Sequence, residues 1–401
     1  MEDTVNRFKL WSPEVRADPH PIYAEMRAEA PLYRGLGPIS GQPRWFFTRY
    51  EDCVEVLKDP RFIKDYRKFL SPEQREADRN DPENIIGYHM LSMDPPDHTR
   101  LRALVHKAFT PKMVENLRGR IAEIADGLID DMVAQGRQAD LIQTYALPLP
   151  IIVIAELLGV TTERRAEFRD WIKAIMWDSN DASRIAAVGA FVQYCNELIA
   201  QRRADPQDDL VSALTNVSEE DDQLSHEEIL SMIFLLLTAG HETTINLIGN
   251  GTLALIDHPD QRSALKEDPS LIHTAVEEML RYEGPVEMTL ARFAAEEIAW
   301  GGQTIGRGEM VFAVLLSADR DETVFPDPNR FDITRRPNKH IAFGAGIHYC
   351  LGAPLARLEA SIAFPTLLQR LPDLALATPR DQLQWNDTLL FRGMATLPVT
   401  Y

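Results

Sequence analysis

Apolar residues recur at helical spacing along most of the chain, and alternating runs are few. Helical spacing or helix-forming composition covers residues 115–135, 149–159, 165–177, 184–203, 226–257, 270–283 and 351–371. Alternating or β-branched runs are limited to Trp45–Thr48, Glu297–Ile305, Met310–Leu315 and Ala395–Val399. The pattern predicts a mainly α fold with a minor β-sheet region. Because no internal repeat or low-complexity linker interrupts it, we expect a single domain over residues 1–401, with a helix-rich major part and a small β-rich part.

One predicted helix has unusually clear boundaries. Ser225 and Glu228 form a capping box, and Leu224 and Ile229 occupy the flanking staple positions. No proline follows until Pro259. At 1.5 Å per residue this helix is roughly 45 Å long, about the width of a domain of this size. We therefore expect it to cross the core.

A second helix is bounded by Asp268-Pro269 at its start and by Gly284-Pro285 at its end. Its last turns carry Glu278 and Arg281. The acidic stretch 204–222 lies between the predicted helices 184–203 and 226–257 and contains no Lys or Arg. We expect it to be a solvated loop and not a cation site.

Charge and cysteine content exclude several classes of function. The 401 residues carry a formal net charge of −19, which disfavours a nucleic-acid or anionic-membrane partner. The N-terminal segment lacks the basic and apolar regions of a signal peptide, and the longest apolar run, Ile229–Gly240, is too short to span a bilayer. Three widely spaced cysteines without a CxxC motif do not form a disulfide framework or a zinc site. A cytoplasmic protein is expected.

The middle of the long helix is polar where a buried helix should be apolar. Residues 239–244 have the sequence Ala-Gly-His-Glu-Thr-Thr. A helical Gly costs about 1 kcal/mol relative to Ala, and a buried unpaired hydroxyl or carboxyl costs about 1–3 kcal/mol. The combination therefore indicates a function, the alternative being structural threonines and a solvent-facing Glu242.

A glycine-containing loop precedes the last long helix. It has the sequence Phe343-Gly-Ala-Gly-Ile-His-Tyr-Cys-Leu-Gly352. Glycines permit a tight loop that leaves the Cys350 sulfur at a helix N-terminus, where a thiol serves as a nucleophile or a metal ligand. No hydrolase base and no second ligand at zinc spacing accompany it, so a single soft ligand for haem iron fits best. A buried structural role is expected for Cys53 and Cys195.

At these residues the chain resembles the soluble bacterial cytochromes P450, the haem-thiolate monooxygenases, over essentially its whole length. Four separated motifs carry the resemblance, and they lie at Phe343, Gly344, Gly346, His348, Cys350 and Gly352; at Ala239, Gly240, Glu242 and Thr243; at Glu278 and Arg281; and at His98 and Arg102. Each motif alone could arise by chance, but their order along one chain makes a false match improbable.

The resemblance implies a haem b cofactor and roles for these residues. Cys350 would be the axial thiolate that favours O–O cleavage. His98, Arg102, Arg292 and His348 would pair with the haem propionates, because buried carboxylates need cationic or hydrogen-bonding partners. Glu278 and Arg281 would form a structural ion network beneath the haem, with Arg330 as its third member. Glu277, at i,i+4 from Arg281, is the better partner in an isolated helix, and the sequence leaves that choice open.

The resemblance also implies how the reaction proceeds. Glu242 and Thr243 would relay protons to dioxygen as it is reduced. No dinucleotide-binding fingerprint or fused reductase is visible, so electrons would come from a separate ferredoxin with its reductase. Two locally basic windows, Asp94–Arg120 and Arg330–Lys339, are the predicted docking face. A haem-thiolate sensor or partner-recruiting protein is the alternative, although it would have no need of Glu242 and Thr243.

The substrate implied by the resemblance is a hydrophobic small molecule such as a terpenoid, fatty acid, steroid or macrolide-like compound, oxidised by hydroxylation or epoxidation. By family analogy its pocket would be lined by the loop 83–93 and by Leu235, Leu236, Ala239, Val286, Met288, Thr289, Leu389, Leu390 and Phe391. These residues are mostly apolar, and no charged anchor for a substrate is apparent.

Overall fold

The computed structural model describes residues 7–36, 42–80, 84–177, 180–219 and 222–401. Its α-helices are α1 (Pro13–Ala17), α2 (His20–Glu29), α3 (Tyr50–Lys58), α4 (Pro72–Asn80), α5 (Asp97–Ala108), α6 (Pro111–Asn116), α7 (Arg118–Gln135), α8 (Pro148–Leu157), α9 (Arg165–Trp177), α10 (Asp181–Ala204), α11 (Leu210–Asn216), α12 (His226–Asp257), α13 (Pro259–Glu267), α14 (Ile272–Tyr282), α15 (Leu315–Ala318) and α16 (Ala353–Arg370). The mainly α fold is confirmed.

Short strands make up the β-structure. They are β1 (Leu32–Leu36), β2 (Pro43–Phe47), β3 (Phe62–Ile63), β4 (Gln138–Asp140), β5 (Ser218–Glu219), β6 (Asp222–Gln223), β7 (Arg292–Ala294), β8 (Ile298–Trp300), β9 (Gln303–Ile305), β10 (Met310–Ala313), β11 (Ala375–Leu376) and β12 (Pro398–Thr400). Five of them, β2, β8, β9, β10 and β12, lie within or beside the predicted alternating runs. Gly301 and Gly302, both at positive φ, form the turn between β8 and β9.

The chain forms two compact units. The first comprises residues up to Ile63, Gly119–Pro148 and Thr243–Tyr401, and the second comprises Lys64–Arg118 and Leu149–Glu242. The expectation of a single domain over 1–401 stays a prediction.

The first unit contains the larger sheet, in the order β1-β2-β10-β7-β3. Only the β2–β10 pair is parallel. Val311 and Ala313 alternate with half-buried neighbours along β10 and pack with Trp45, Phe47 and Val56 in one apolar cluster. Strand β7, which carries Arg292, lies between the central strand β10 and the edge strand β3.

Helix α12 forms as its capping residues predict. The Ser225 N–H donates to Glu228 Oε2 at 2.8 Å, and the Glu228 N–H donates to Ser225 Oγ at 3.2 Å. Among the described residues α12 is the helix long and apolar enough to cross a membrane, but 61% of its most apolar window is buried, as in the core helix of a soluble protein.

Several elements were not expected from the sequence. Helices α2, α3 and α5 lie where the apolar spacing is short and mixed with charge. The stretch 204–222 is not wholly a loop, because α11 forms within it and Asp209 caps that helix by accepting from the Ser212 N–H at 2.8 Å. Residues 220 and 221 of that stretch, and residue 83 of the predicted pocket loop, lie outside the described residues.

Candidate active site

The loop before α16 presents Cys350. Gly344 and Gly346 have φ values of 71° and 72°, which favour glycine. A Cβ on Gly346 would lie 2.5 Å from the Leu57 carbonyl oxygen, so the loop also needs glycine for close approach. The Cys350 N–H donates to the Phe343 carbonyl at 2.9 Å, which closes the loop two residues before the α16 N-cap, Gly352.

The three cysteines differ in accessibility. Cys53 and Cys195 are completely buried, and burial raises the pKa of both thiols well above the ordinary range. Cys350 is half-buried, and none of the three forms a disulfide. A soft sulfur ligand that is both accessible and held before a helix N-terminus is the donor that haem iron requires. The residues present therefore fit the cofactor.

The cysteine loop packs against a salt-bridged group formed by Arg357, Glu277 and His340, which the sequence analysis did not predict. The Arg357 guanidinium lies 4.4 Å from the centre of the Phe343 ring and pairs with Glu277 at 2.6 Å. His340 Nε2 lies 2.9 Å from the same carboxylate. Burial raises the pKa of Glu277, but hydrogen bonds from Arg357 and His340 outweigh it and hold that pKa at about 2. These partners are remote in sequence, so no local pattern could have identified them.

The structure assigns Glu278, not Glu277, to Arg281. The two side chains are fully buried and joined by two hydrogen bonds of 2.8 Å. The prediction that the Arg330 side chain is the third member of the Glu278–Arg281 network is wrong. Arg335 pairs with Glu278 at 3.2 Å, whereas Arg330 contributes only its carbonyl, which accepts from Arg281 at 3.1 Å. The Arg330 guanidinium lies near Asp332 and is 65% exposed.

The polar middle of α12 is accessible. Ala239 is exposed, and Gly240, Glu242 and Thr243 are half-buried, whereas residues 245–255 are buried. An exposed alanine in the middle of a core helix marks a space beside the helix that is large enough for solvent or a ligand. The helix therefore presents its proton-bearing side chains where a ligand can reach them.

The next residue, Thr244, is buried and hydrogen-bonds Glu359 of α16. Burial raises the pKa of the Glu359 carboxyl to about 8, and the hydrogen bond only partly offsets it. Burial therefore favours the protonated, neutral form of this carboxyl. No local pattern predicts the burial of Glu359, because a single Glu in an amphipathic helix is ordinarily exposed.

The predicted propionate partners fall in both units. In the second unit His98 and Arg102 share one face of α5 at i,i+4 spacing, and His98 is buried. In the first unit Arg292 is buried on β7 and donates to the Phe62 carbonyl at 3.1 Å, while His348 lies half-buried in the cysteine loop. Each is therefore placed in a described element, and their joint role stays a prediction.

The predicted pocket residues divide by environment. Met288 and Leu389 are buried in an apolar cluster with Tyr23 and Phe46, which indicates a core role for Met288. The Thr289 hydroxyl accepts from the Ala313 N–H at 3.2 Å, a structural contact. Half-buried side chains remain at Leu236, Val286, Leu390 and Phe391, and Leu235 is buried.

Three comparisons with known proteins agree. The sequence model of the family "Cytochrome P450" matches residues 41–390. Cytochrome P450 107B1 of Saccharopolyspora erythraea is 48% identical over 388 residues, 95% of each chain. The solved structure of the bacillaene polyketide synthase cytochrome P450 PksS of Bacillus subtilis superposes with a TM-score of 0.91 at 44% identity, covering 97% of this chain and 98% of that one.

A myxobacterial relative, cytochrome P450 CYP267B1, was solved in complex with myristic acid and superposes with a TM-score of 0.90 at 49% identity, covering 98% of both chains. Because the family model spans most of the sequence and these relatives span nearly all of it, the chain belongs to the cytochrome P450 family of haem-thiolate monooxygenases.

Proposed function

We propose that the chain hydroxylates or epoxidises a hydrophobic small molecule, with Cys350 as the axial ligand of haem b and a ferredoxin with its reductase as the electron source. The observation that carries this proposal is the cysteine loop, in which two left-handed glycines and a following helix present the one half-buried thiol of the chain.

Further residues would hold the cofactor. The haem, when bound, supplies the activation of dioxygen. His98, Arg102, Arg292 and His348 bind its propionates, because each offers N–H donors to an anionic oxygen. Ala239, Phe343, Gly344 and Gly352 offer small or apolar surfaces to the macrocycle. Arg292 is buried on β7, and a buried guanidinium is well suited to pair with an anionic oxygen such as that of a propionate.

Glu242 and Thr243 would deliver protons. The Thr243 hydroxyl donates a hydrogen bond to dioxygen, and the Glu242 carboxyl passes a proton from water to that hydroxyl. The half-exposed position of both side chains supports the relay, because a proton donor must touch solvent as well as the reactant.

The substrate is apolar and of moderate to large size. The half-buried Val286, Leu390 and Phe391 offer apolar contact and no charged anchor. Among the similar structures, one belongs to a polyketide pathway and another holds a fatty acid. A panel of macrolide-like compounds, steroids, terpenoids and myristic acid, scored by the shift of the haem Soret band on binding, would identify the class.

A ferredoxin would dock on basic surface. Lys107, Lys112 and Arg336 of the two predicted windows are exposed. Arg100 and Arg335 contribute less than expected, since the first pairs with Asp222 and Glu228 and the second with Glu278. Three thiols without a disulfide support a cytoplasmic location.

The ligand assignment is tested by the reduced, carbon-monoxide-bound spectrum. We expect wild-type protein to show the strongly red-shifted Soret band of thiolate ligation, and Cys350→His to lose it, because imidazole does not donate electron density as a thiolate does. Cys53→Ser and Cys195→Ser are the matched controls and should keep the band. Loss of the band in either control with its retention in Cys350→Ser would contradict the assignment.

A further inference from the structure

Two predicted pocket segments are bonded to each other. Glu287 N–H donates to the Leu390 carbonyl at 3.0 Å, and Arg392 N–H donates to the Pro285 carbonyl at 2.9 Å. Val286 and Phe391 form the antiparallel bridge between these bonds. We call residues 285–287 and 390–392 the paired segments. Because side chains alternate along extended backbone, Glu287 and Arg392 lie on the face opposite Val286 and Phe391.

Glu287 anchors one end of the paired segments to α1. Its carboxylate is fully buried and accepts two hydrogen bonds of 2.7 Å from the Arg16 guanidinium. The Tyr23 hydroxyl donates to the same carboxylate. Arg16 also donates to the Thr388 carbonyl at 2.6 Å, so one guanidinium bonds the first segment and the backbone two residues before the second.

Arg392 anchors the other end. Its Nε donates to Glu283 Oε1 at 2.7 Å, its terminal nitrogens donate to the carbonyls of Arg16 and Ala17, and its guanidinium stacks 3.4 Å from the Trp385 ring centre. Burial raises the pKa of Glu283, but the hydrogen bond from His20 and the positive charges of Arg392 and Arg320 outweigh it and hold that pKa below its ordinary value.

The long helix bonds to the second segment and to the backbone just before the first. Asn250 of α12 donates through Nδ2 to the Glu283 carbonyl at 3.1 Å and to the Arg392 carbonyl at 2.8 Å. A Cβ on Gly393 would overlap the Asn246 side chain, so the chain beyond Arg392 packs directly against α12. The paired segments are thus fixed to α1 on one side and to α12 on the other.

The buried ion pairs Arg16–Glu287 and Arg392–Glu283, here called the cluster, are not needed merely to stabilise two short segments. Buried ion pairs contribute little net stability compared with apolar packing of the same volume. Planar guanidinium groups, however, fix direction as well as distance, because each hydrogen bond is set by the fork geometry. The cluster is therefore suited to setting the position of the backbone that carries Val286 and Phe391.

We propose that Arg16 and Arg392 are positioning residues that hold Val286 and Phe391 as one apolar wall of the substrate pocket and so set how tightly a bulky apolar group binds beside the haem. This inference rests on the proposed function, in which Val286 and Phe391 line that pocket. The two arginines touch neither substrate nor cofactor and act through the paired segments.

Azole ligands of different size can test whether Val286 and Phe391 are held in position, even though the substrate is not known. Imidazole binds through the haem iron alone, whereas clotrimazole places bulky apolar groups in the pocket. We expect Arg16→Lys and Arg392→Lys to raise the dissociation constant of clotrimazole about tenfold and to change that of imidazole by less than about twofold. Both constants are measured from the Soret shift, and the carbon monoxide spectrum confirms intact thiolate ligation.

Arg27→Lys is the matched control. Arg27 is an equally buried arginine on α2, but it bonds Ser317 and Glu322, which are not part of the paired segments. It should leave both constants unchanged. An unchanged clotrimazole constant in both test variants, or an equal loss in Arg27→Lys, would overturn the inference.

A double variant covers the case in which the single variants fail to load haem. Arg16→Met with Glu287→Gln removes both charges of the pair and keeps an acceptor for Tyr23. Weaker clotrimazole binding with an intact spectrum supports the positioning role, and failure to load haem in the double variant as well assigns the cluster to fold stability and overturns it. Wild-type protein without the thiolate-type spectrum would instead contradict the proposed function.

Discussion

At the scale of single residues, partner choice follows from burial more than from spacing. Glu277 and Glu278 are both within helical reach of Arg281, so spacing leaves two pairings open. Burial decides between them, because Glu278 and Arg281 are completely enclosed, whereas Glu277 is partly exposed and takes Arg357. A buried carboxylate must be fully paired, and Arg335, the Asn338 amide and the Asp332 N–H also donate to Glu278.

This network makes a prediction that separates two neighbouring arginines. Arg335→Gln should lower the free energy of unfolding by about 2 kcal/mol, because it removes hydrogen bonds to a buried charged group. Arg330→Gln, which alters an exposed side chain, should change it by less than about 0.5 kcal/mol. Urea unfolding followed by far-UV circular dichroism measures both. Equal effects of the two substitutions would place the third member of the network back at Arg330.

At the scale of elements, α12 has clear sequence signals at both ends, but its middle is more polar and less buried than the rest. Its capping box and the following Pro259 set its ends, and both are local signals. Its middle departs from apolar packing where Ala239 is exposed and where Glu242 and Thr243 are half-buried. A helix built only for stability would bury apolar side chains there, so the departure is consistent with a proton relay at that point.

The relay predicts a separation of binding from coupling. Thr243→Ala should keep haem and substrate binding, yet reducing equivalents should appear as hydrogen peroxide instead of oxidised product, because the hydroxyl is needed only after dioxygen binds. Glu242→Gln should slow turnover through proton delivery. The measurement is the ratio of product to NAD(P)H consumed with a surrogate ferredoxin system.

Thr238→Ala is the matched control for this prediction. The Thr238 hydroxyl lies on the same helix and donates to the Phe234 carbonyl at 2.9 Å, so its loss perturbs the helix without touching the relay. Coupling in this variant should equal that of wild type. Unchanged coupling in Thr243→Ala, or equal uncoupling in Thr238→Ala, would argue against the relay.

At the scale of the whole molecule, net charge and local charge have opposite signs. The chain carries −19 overall, yet Lys107, Lys112 and Arg336 are exposed within two locally basic windows. An acidic ferredoxin would be repelled by the whole molecule and attracted by these windows. Opposite local fields accelerate encounter and are screened over about 8 Å at physiological ionic strength.

Reduction by a ferredoxin should therefore slow as salt is added. Lys107→Glu, Lys112→Glu and Arg336→Glu should each slow the first electron transfer while leaving substrate-induced spectral shifts unchanged. Lys173→Glu, an exposed lysine of α9 outside both windows, is the control and should have no specific effect. Stopped-flow reduction rates that do not vary with ionic strength and are indifferent to the three reversals would place the donor on another surface.

The sequence by itself determined the helices with strong periodicity and explicit caps, such as α12, and the chemistry of short motifs, such as the cysteine loop, because these depend on residues within one or two turns of each other. The tertiary structure decided what depends on remote partners. It paired Arg335 with Glu278, placed Arg357 against Phe343, buried Glu359 and joined residues 285–287 to 390–392. In a folded chain a buried polar side chain pairs with the groups that the fold brings next to it away from water. A local sequence pattern cannot predict those groups, because they are remote in sequence.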